Sequence, residues 1–183
     1  MILKNNNSRI GPSFSFQNRL MRSIWNICYF FLFLPSPRNF FFWRIFILKI
    51  FGAKIGKKCR IHRKVNIWAP WNLKLGNYVA IDNNVKLYNM DMIYIDDDTT
   101  VSDGAYLCCG SHDYKSKQFK LFAKPIIIKK RVWICAQVFI HPGIIIEDGC
   151  VVGARSVVKK NLKIKNSVYD GHPCEFVKEY NYD

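Results

Sequence analysis

From Ile55 to Lys160 the chain repeats in sixes. Ile55, Ile61 and Ile67 are spaced by six, and after a slip of two the phase resumes at Leu75, Ile81 and Leu87. A second slip of two gives Ile95, Val101 and Leu107, and after a longer interruption come Ile128, Ile134, Ile140, Ile146, Val152 and Val158. All fifteen positions are Ile, Leu or Val. A smaller residue stands four places after most of these anchors, as at Cys59, Val65, Thr99, Ala105, Ser111, Val138, Cys150 and Ser156. A period of six fits neither the 3.6-residue helix nor the strict alternation of a hairpin sheet. It is the signature of a parallel β-helix, in which each hexapeptide makes one short strand and one corner, and three make a triangular coil. The anchors point inward and stack on those of the next coil, because one coil alone cannot bury its apolar side. Roughly five coils fit into this stretch. An ordinary β-sandwich would not keep fifteen anchors in phase.

The two short slips, at Ala69-Pro70-Trp71-Asn72 and around Asn89-Met90-Asp91, fall one coil apart. They are expected to make bulges or short projecting turns on one edge. The longest break follows Leu107, and residues 113–125 are expected to leave the regular path as a loop. His112 ends its hexapeptide, which puts it at a corner, looking outward. Its chemistry is that of a general base near neutral pH. His62 and His141 each follow an anchor, on outward strand faces, and His172 lies near the C-terminus. No His or carboxylate pair has convincing metal-ligand spacing, so no metal is expected. The seven cysteines show no CxxC spacing, and several take small inward positions. They read as reduced, buried thiols of a cytosolic protein.

Charge matters at the N-terminal end. Of 28 basic residues, fourteen lie between Met1 and Ile81, where there is no Asp or Glu; the remainder of the chain sets fourteen against all thirteen acids. The net charge of +15 is therefore essentially the +14 of one end. Such asymmetry implies an anionic partner. No nucleic-acid-binding motif is present. The interleaving of cations with large apolar side chains points instead to an anionic membrane surface. Residues 1–18 read as loose. The apolar runs Ser23–Leu34 and Asn39–Phe51 flank Pro35-Ser36-Pro37 and predict two short interfacial helices. Neither reaches the ~18–20 residues of a spanning helix, and no small-residue cleavage site marks a signal peptide. The chain thus divides into a basic, aromatic N-terminal segment (1–54), a β-helix catalytic domain (55–160) and a C-terminal tail (161–183).

The hexapeptide phase, Gly110-Ser111-His112-Asp113-Tyr114, Val132-Trp133-Ile134, Pro142-Gly143, Val152-Gly153-Ala154-Arg155-Ser156-Val157-Val158 and Gly171-His172-Pro173 together resemble the hexapeptide-repeat O-acetyltransferases. The likeness is nearest to the colanic acid biosynthesis acetyltransferase type and runs from about Ile24 to Lys178. The resemblance implies a left-handed parallel β-helix, a hand the spacing itself does not set. It implies a homotrimer with active sites between adjacent subunits, acetyl-CoA as donor, and a hydroxyl acceptor on a sugar or lipid-linked glycan. Carried over by position, His112 matches the catalytic base and the backbone N–H of Ala136 the oxyanion donor. Trp133, Ala154, Lys159, Lys160 and Lys178 match positions along the CoA. Asn89 or Asp91, with Asp113 and Tyr114, would face the acceptor. No covalent acyl-enzyme is implied. The sequence departs from the family at Gly171-His172-Pro173-Cys174, where Gly-Asn-Pro-Ala is usual, and at Glu175, where a basic residue is usual. Two other readings share the fold: a catalytically silent trimeric scaffold at the membrane, and a metal enzyme like the γ-carbonic anhydrases, whose histidine pattern is not matched here. The implied setting is the cytoplasm, peripheral to the inner face of the membrane.

Overall fold

The computed structural model describes residues 13–181. Residues 1–12, most of the stretch expected to be loose, lie outside the described residues. From Lys54 onward the chain winds as a parallel β-helix of three faces. The first face carries Lys54–Ile55, Leu73–Leu75, Ile93–Ile95, Ile126–Ile128 and Ile145–Ile146. The second carries Arg60–Ile61, Ala80–Ile81, Thr100–Val101, Trp133–Ile134 and Val151–Val152. The third carries Asn66–Ile67, Lys86–Tyr88, Tyr106–Cys108, Phe139–Ile140 and Val157–Val158. Five full coils result, and Leu162 and Ser167–Asp170 begin a sixth. The C-terminal strand Glu175–Glu179 folds back antiparallel on Ser167–Asp170 and extends the second face.

Registers explain why the period is six. Ile61 stacks on Ile81, Ile81 on Val101, Val101 on Ile134 and Ile134 on Val152. All fifteen anchors are buried. Each contributes about 1.5–3 kcal/mol of apolar burial, and none obtains it without the coil beside it. The small residues turn the corners inside, with Val65, Val79, Thr99, Ala105 and Ser156 wholly buried. Ser111 breaks that pattern. It lies half-buried on a projecting strand, and Cys109 is buried in the interior instead. At the outer turns Lys58, Tyr78, Asn84, Asp98, Arg131, Gln137 and Arg155 take positive φ of 54–63°. The tight corner demands that conformation of non-glycine residues, and the coil-to-coil ladder holds them there.

The two slips do not project. They lie inside the edge between the third and first faces, where Ala69, Pro70, Asn89 and Met90 are buried. The Asn89 carboxamide brackets the peptide of Ala69, accepting its N–H at 3.0 Å and donating to its carbonyl at 2.6 Å. Asn72 Nδ2 donates in turn to the carbonyls of Asn89 and Met90. Buried backbone groups at an irregular corner need such partners.

The helical end closes the first coil. Helix α1 (Phe16–Cys28) starts earlier than the apolar run, because Ser15 caps it by accepting from the Asn18 N–H. It runs into a π-helical turn at Tyr29–Phe33, and α2 (Phe41–Ile50) follows the proline turn. Trp25, Phe33, Ile47 and Leu48 are buried against the coil. Trp25 Nε1 donates to the Ile67 carbonyl at 2.7 Å, and Arg44 Nε to the Ile61 carbonyl at 2.6 Å. The guanidinium of Arg44, fully buried, also binds Ser36 Oγ and the carbonyls of Pro37 and Arg38. The open end of a solenoid needs a cap of this kind.

Candidate active site

The break after Leu107 is a β-hairpin where an irregular loop is expected. Gly110–Asp113 pairs antiparallel with Lys120–Ala123, with His112 opposite Leu121. The hairpin leaves the edge between the third and first faces closely over the second slip: a Cβ on Gly110 would overlap Met90 Sδ. His112 is held on two sides. Its ring stacks on Phe119 with centroids 4.3 Å apart and planes 10° apart. Its Nδ1 lies 3.1 Å from the Phe119 carbonyl oxygen. A carbonyl can only accept, so Nδ1 carries the proton in this pair and the basic lone pair is on Nε2. This is the orienting partner that sequence reading does not find. Phe119 follows His112 by seven residues and reaches it only because the hairpin turns back, with Phe119 itself at a φ of 48°.

Other candidates on this edge separate into two groups. Asp113 and Tyr114 continue the hairpin and are exposed, Tyr114 at 79%. Asp113 Oδ1 accepts from the Lys115 N–H. Of the alternative pair, Asn89 is fully buried with both amide atoms engaged by Ala69, whereas Asp91 is half-buried and its Oδ1 accepts from the Met92 N–H. Only Asp91 of the two presents itself toward the surface. Lys159 and Lys160 lie on the same edge in the fifth coil, exposed.

Ala136 and Ala154 belong to a different edge, between the second and third faces. They stack on successive coils, with Arg155 N–H donating to the Ala136 carbonyl at 2.9 Å. At equivalent outer turns the N–H groups of Lys57, Asn77, Asn83, Asp97 and Lys130 are accepted by side-chain oxygens. The Ala136 N–H meets no acceptor among the described residues. Trp133 stands beside this edge on the second face, half exposed, its Nε1 donating to Ser102 Oγ at 2.9 Å. Lys178 lies on the same face, opposite Val168 on the final strand. One chain therefore carries the His112 group on one edge of the prism and the Ala136 group on another.

The thiols are chemically quiet. Burial pushes Cys109 and Cys150 up to about 12, and Cys174 up to about 11. All seven cysteines are free. Among the described residues, no three His, Cys, Asp or Glu side chains gather into a group able to hold a metal ion.

Comparison with known proteins agrees with this architecture. The family model described as bacterial transferase hexapeptide (six repeats) matches residues 125–160. WcaF of Escherichia coli (strain K12), assigned as a colanic acid biosynthesis acetyltransferase, is 41% identical over 162 residues, covering 88% of each chain. The galactoside O-acetyltransferase of the same organism is 27% identical over 138 residues, 74% of this chain and 68% of that one. Among solved structures, a hexapeptide-repeat acetyltransferase of Vibrio cholerae, complexed with acetyl coenzyme A, superimposes with a TM-score of 0.82 at 21% identity. That match covers 92% of this chain and 91% of the other, and establishes the common fold.

Proposed function

The chain belongs to the hexapeptide-repeat acetyltransferases, and from that premise we propose that it transfers the acetyl group of acetyl-CoA to a sugar hydroxyl in the assembly of a surface polysaccharide. His112 is the general base. Its Nε2 takes the proton from the acceptor hydroxyl as that oxygen attacks the thioester carbonyl. The tetrahedral oxyanion is held by the Ala136 N–H, which needs no reorganisation to receive it. Collapse breaks the carbon–sulfur bond, and the imidazolium returns its proton to the departing CoA thiolate. No cysteine takes part. The observation that supports this reading most is the bond from His112 Nδ1 to the Phe119 carbonyl, which orients the ring and puts the lone pair on Nε2.

Because His112 and Ala136 stand on different edges of one chain, the reading requires two copies to share each site, and a closed ring of three satisfies every edge. CoA would then lie along Ala136, Ala154 and Trp133 of one copy. Lys159, Lys160 and Lys178 are the cations within reach of its phosphates. Asp91, Asp113 and Tyr114 face the acceptor side.

The helical cap adds a location. Phe16, Leu20, Ile24, Ile27 and Phe31 form one exposed apolar stripe at helical spacing, and Phe42, Phe46 and Ile50 form another. No described helix is long and apolar enough to cross a membrane. Together with the unbalanced positive charge, these stripes suit an interfacial seat on anionic lipid at the cytoplasmic face. Sedimentation with phosphatidylglycerol vesicles checks this, and no binding at low salt removes it.

The enzymatic proposal is tested by titrating acetyl-CoA into the native protein and into His112→Ala. Both should bind with similar affinity, while the variant loses roughly 10²–10⁴-fold in kcat. Absence of acetyl-CoA binding to folded protein would return the chain to the silent-scaffold reading.

A further inference from the structure

A second polar feature lies on the edge that carries Ala136, nearer the helical cap. There the proline turn and the first three coils enclose a cleft of about 360 Å³. Its cations are Arg38, Arg63 and Lys64, with Asn83 and Asn84 between them and Asp103 at the lower lip. All three cations are exposed. None of them takes part in a salt bridge among the described residues. The one carboxylate of the lining is engaged, Asp103 Oδ1 accepting from Asn84 Nδ2 at 2.8 Å. The lining therefore sets three cations against one carboxylate, with Asp82 Oδ1 3.9 Å from Nδ1 of His62, and keeps a net positive charge with donors. His62 forms part of the wall, its ring edge-on to Phe41 of the cap.

Position gives the cleft its meaning. A backbone ladder runs down this edge from Lys64 to Asn84, from Asn83 to Gly104, from Asp103 to Gln137 and from Ala136 to Arg155. The lip of the cleft is thus hydrogen-bonded to the residue next to Ala136. Upward, the cleft is walled by Arg38, whose carbonyl accepts from buried Arg44, and so by the turn that joins the two helices with exposed apolar stripes. The edge offers an apolar surface at one end, a cationic cleft below it and the acetyl-transfer point one coil further on.

We infer that this cleft binds the phosphate or diphosphate group of the acceptor, so that the acceptor is an anionic, phosphate-linked glycan whose sugar reaches down toward Ala136. The inference rests on the acetyltransferase reading of that edge. Arg and Lys are the side chains suited to phosphate oxygens, Arg by paired N–H groups and Lys as a compact charge. The donor's own phosphates would be served elsewhere: Arg155, next to Ala154, continues the ladder in the opposite direction, away from the cleft.

The test uses the full chain and inorganic pyrophosphate as probe, titrated calorimetrically with acetyl-CoA already saturating. Pyrophosphate should bind saturably without displacing acetyl-CoA. The double substitution Arg63→Gln, Lys64→Gln, at two exposed positions, should weaken it by about tenfold or more. Acetyl-CoA affinity should stay within about twofold, since no CoA contact is altered. Sedimentation with phosphatidylglycerol vesicles separates the two sources of phosphate: the variant should still bind them through the apolar cap. Failure of pyrophosphate to bind a protein that binds acetyl-CoA overturns the inference, as does unchanged affinity in the double variant. Loss of vesicle binding without any pyrophosphate site would assign the cations to lipid headgroups and overturn it too. Pyrophosphate binding in a protein that does not take acetyl-CoA would leave the cleft standing and remove the transferase reading beneath it.

Discussion

The coils and the hairpin that interrupts them are built on opposite principles. In the coils every apolar anchor is buried and every strand is paired on both sides except at the ends. The hairpin has a single partner strand for each of its two, one buried hydrophobic residue in Leu121, and exposed residues along its tip. Yet the hairpin carries His112, and the coils carry only backbone and flanking groups of the chemistry proposed above. The difference teaches that, under the proposed reaction, rigidity and reactivity are supplied separately. A stack of coils fixes where the Ala136 N–H points. A projecting ribbon presents His112, the proposed base, across an edge where the coils alone would leave it flat.

The largest expected effect breaks the coil side of this comparison. Ile134 sits in the middle of a stack between Val101 and Val152, fully buried. Ile134→Asp would bury a carboxylate with no partner, at a cost of several kcal/mol, of the order of a whole domain's stability. The protein should fail to fold or melt more than 15 °C earlier by roughly this reckoning. The matching change on the hairpin is Phe119→Ser, which removes the ring under His112 but keeps the carbonyl. It should lower kcat about tenfold through lost positioning, with the melting temperature shifted by no more than about 2 °C. If the hairpin variant melted as early as the coil variant, the two regions would be one cooperative unit and the comparison would fail.

What the sequence discloses follows the same division. The coil interior is legible because an anchor's environment is set by its place in a period, and all fifteen anchors proved buried. His112 is singled out by its motif, and the role proposed for it awaits the His112→Ala measurement. The helix start is not, since Phe16–Arg22 mixes Asn, Arg and Gln with apolar residues, and a polar face reads as looseness until the Ser15 cap is seen. The buried slips are not, since the Asn89 bracket on Ala69 joins residues twenty apart and depends on coil stacking. The hairpin is missed because its strands, GSHD and KLFA, are short and show no sustained alternation. Phe119 as the orienting group is invisible for a stricter reason: the contact is made by its backbone carbonyl, which every residue possesses. The cationic cleft is present in the sequence only as excess charge, and only folding gathers Arg38 with Arg63 and Lys64.

The smallest effect sharpens the comparison at a corner. Along the edge between the first and second faces, Asp97 Oδ1 accepts from the Asn77 N–H at 2.7 Å and Asn77 Nδ2 at 3.2 Å, and its Oδ2 lies 3.3 Å from Lys130 Nζ. The Asn77 backbone N–H, and after it Lys130, hold the Asp97 carboxyl below the usual carboxylate range. A folded-state pKa below the unfolded value means that the unfolded chain binds the proton more readily. The contribution to stability is therefore complete above about pH 4, the unfolded value, and is lost as pH falls through the lower folded one. Asp97→Asn should lower the melting temperature at pH 7 by roughly 2 °C, since the carboxylate is partly solvent-screened. It should also flatten the fall in stability as the pH drops below about 4. Hydrogen exchange assigns that loss to a region. In the native chain, acidification should loosen the amides of Asn77 and Asp98 on this edge before it affects Leu121 in the hairpin. Equal loosening at Leu121 would mean that the corner ladder also holds the hairpin, and that His112 owes its position to the coils after all.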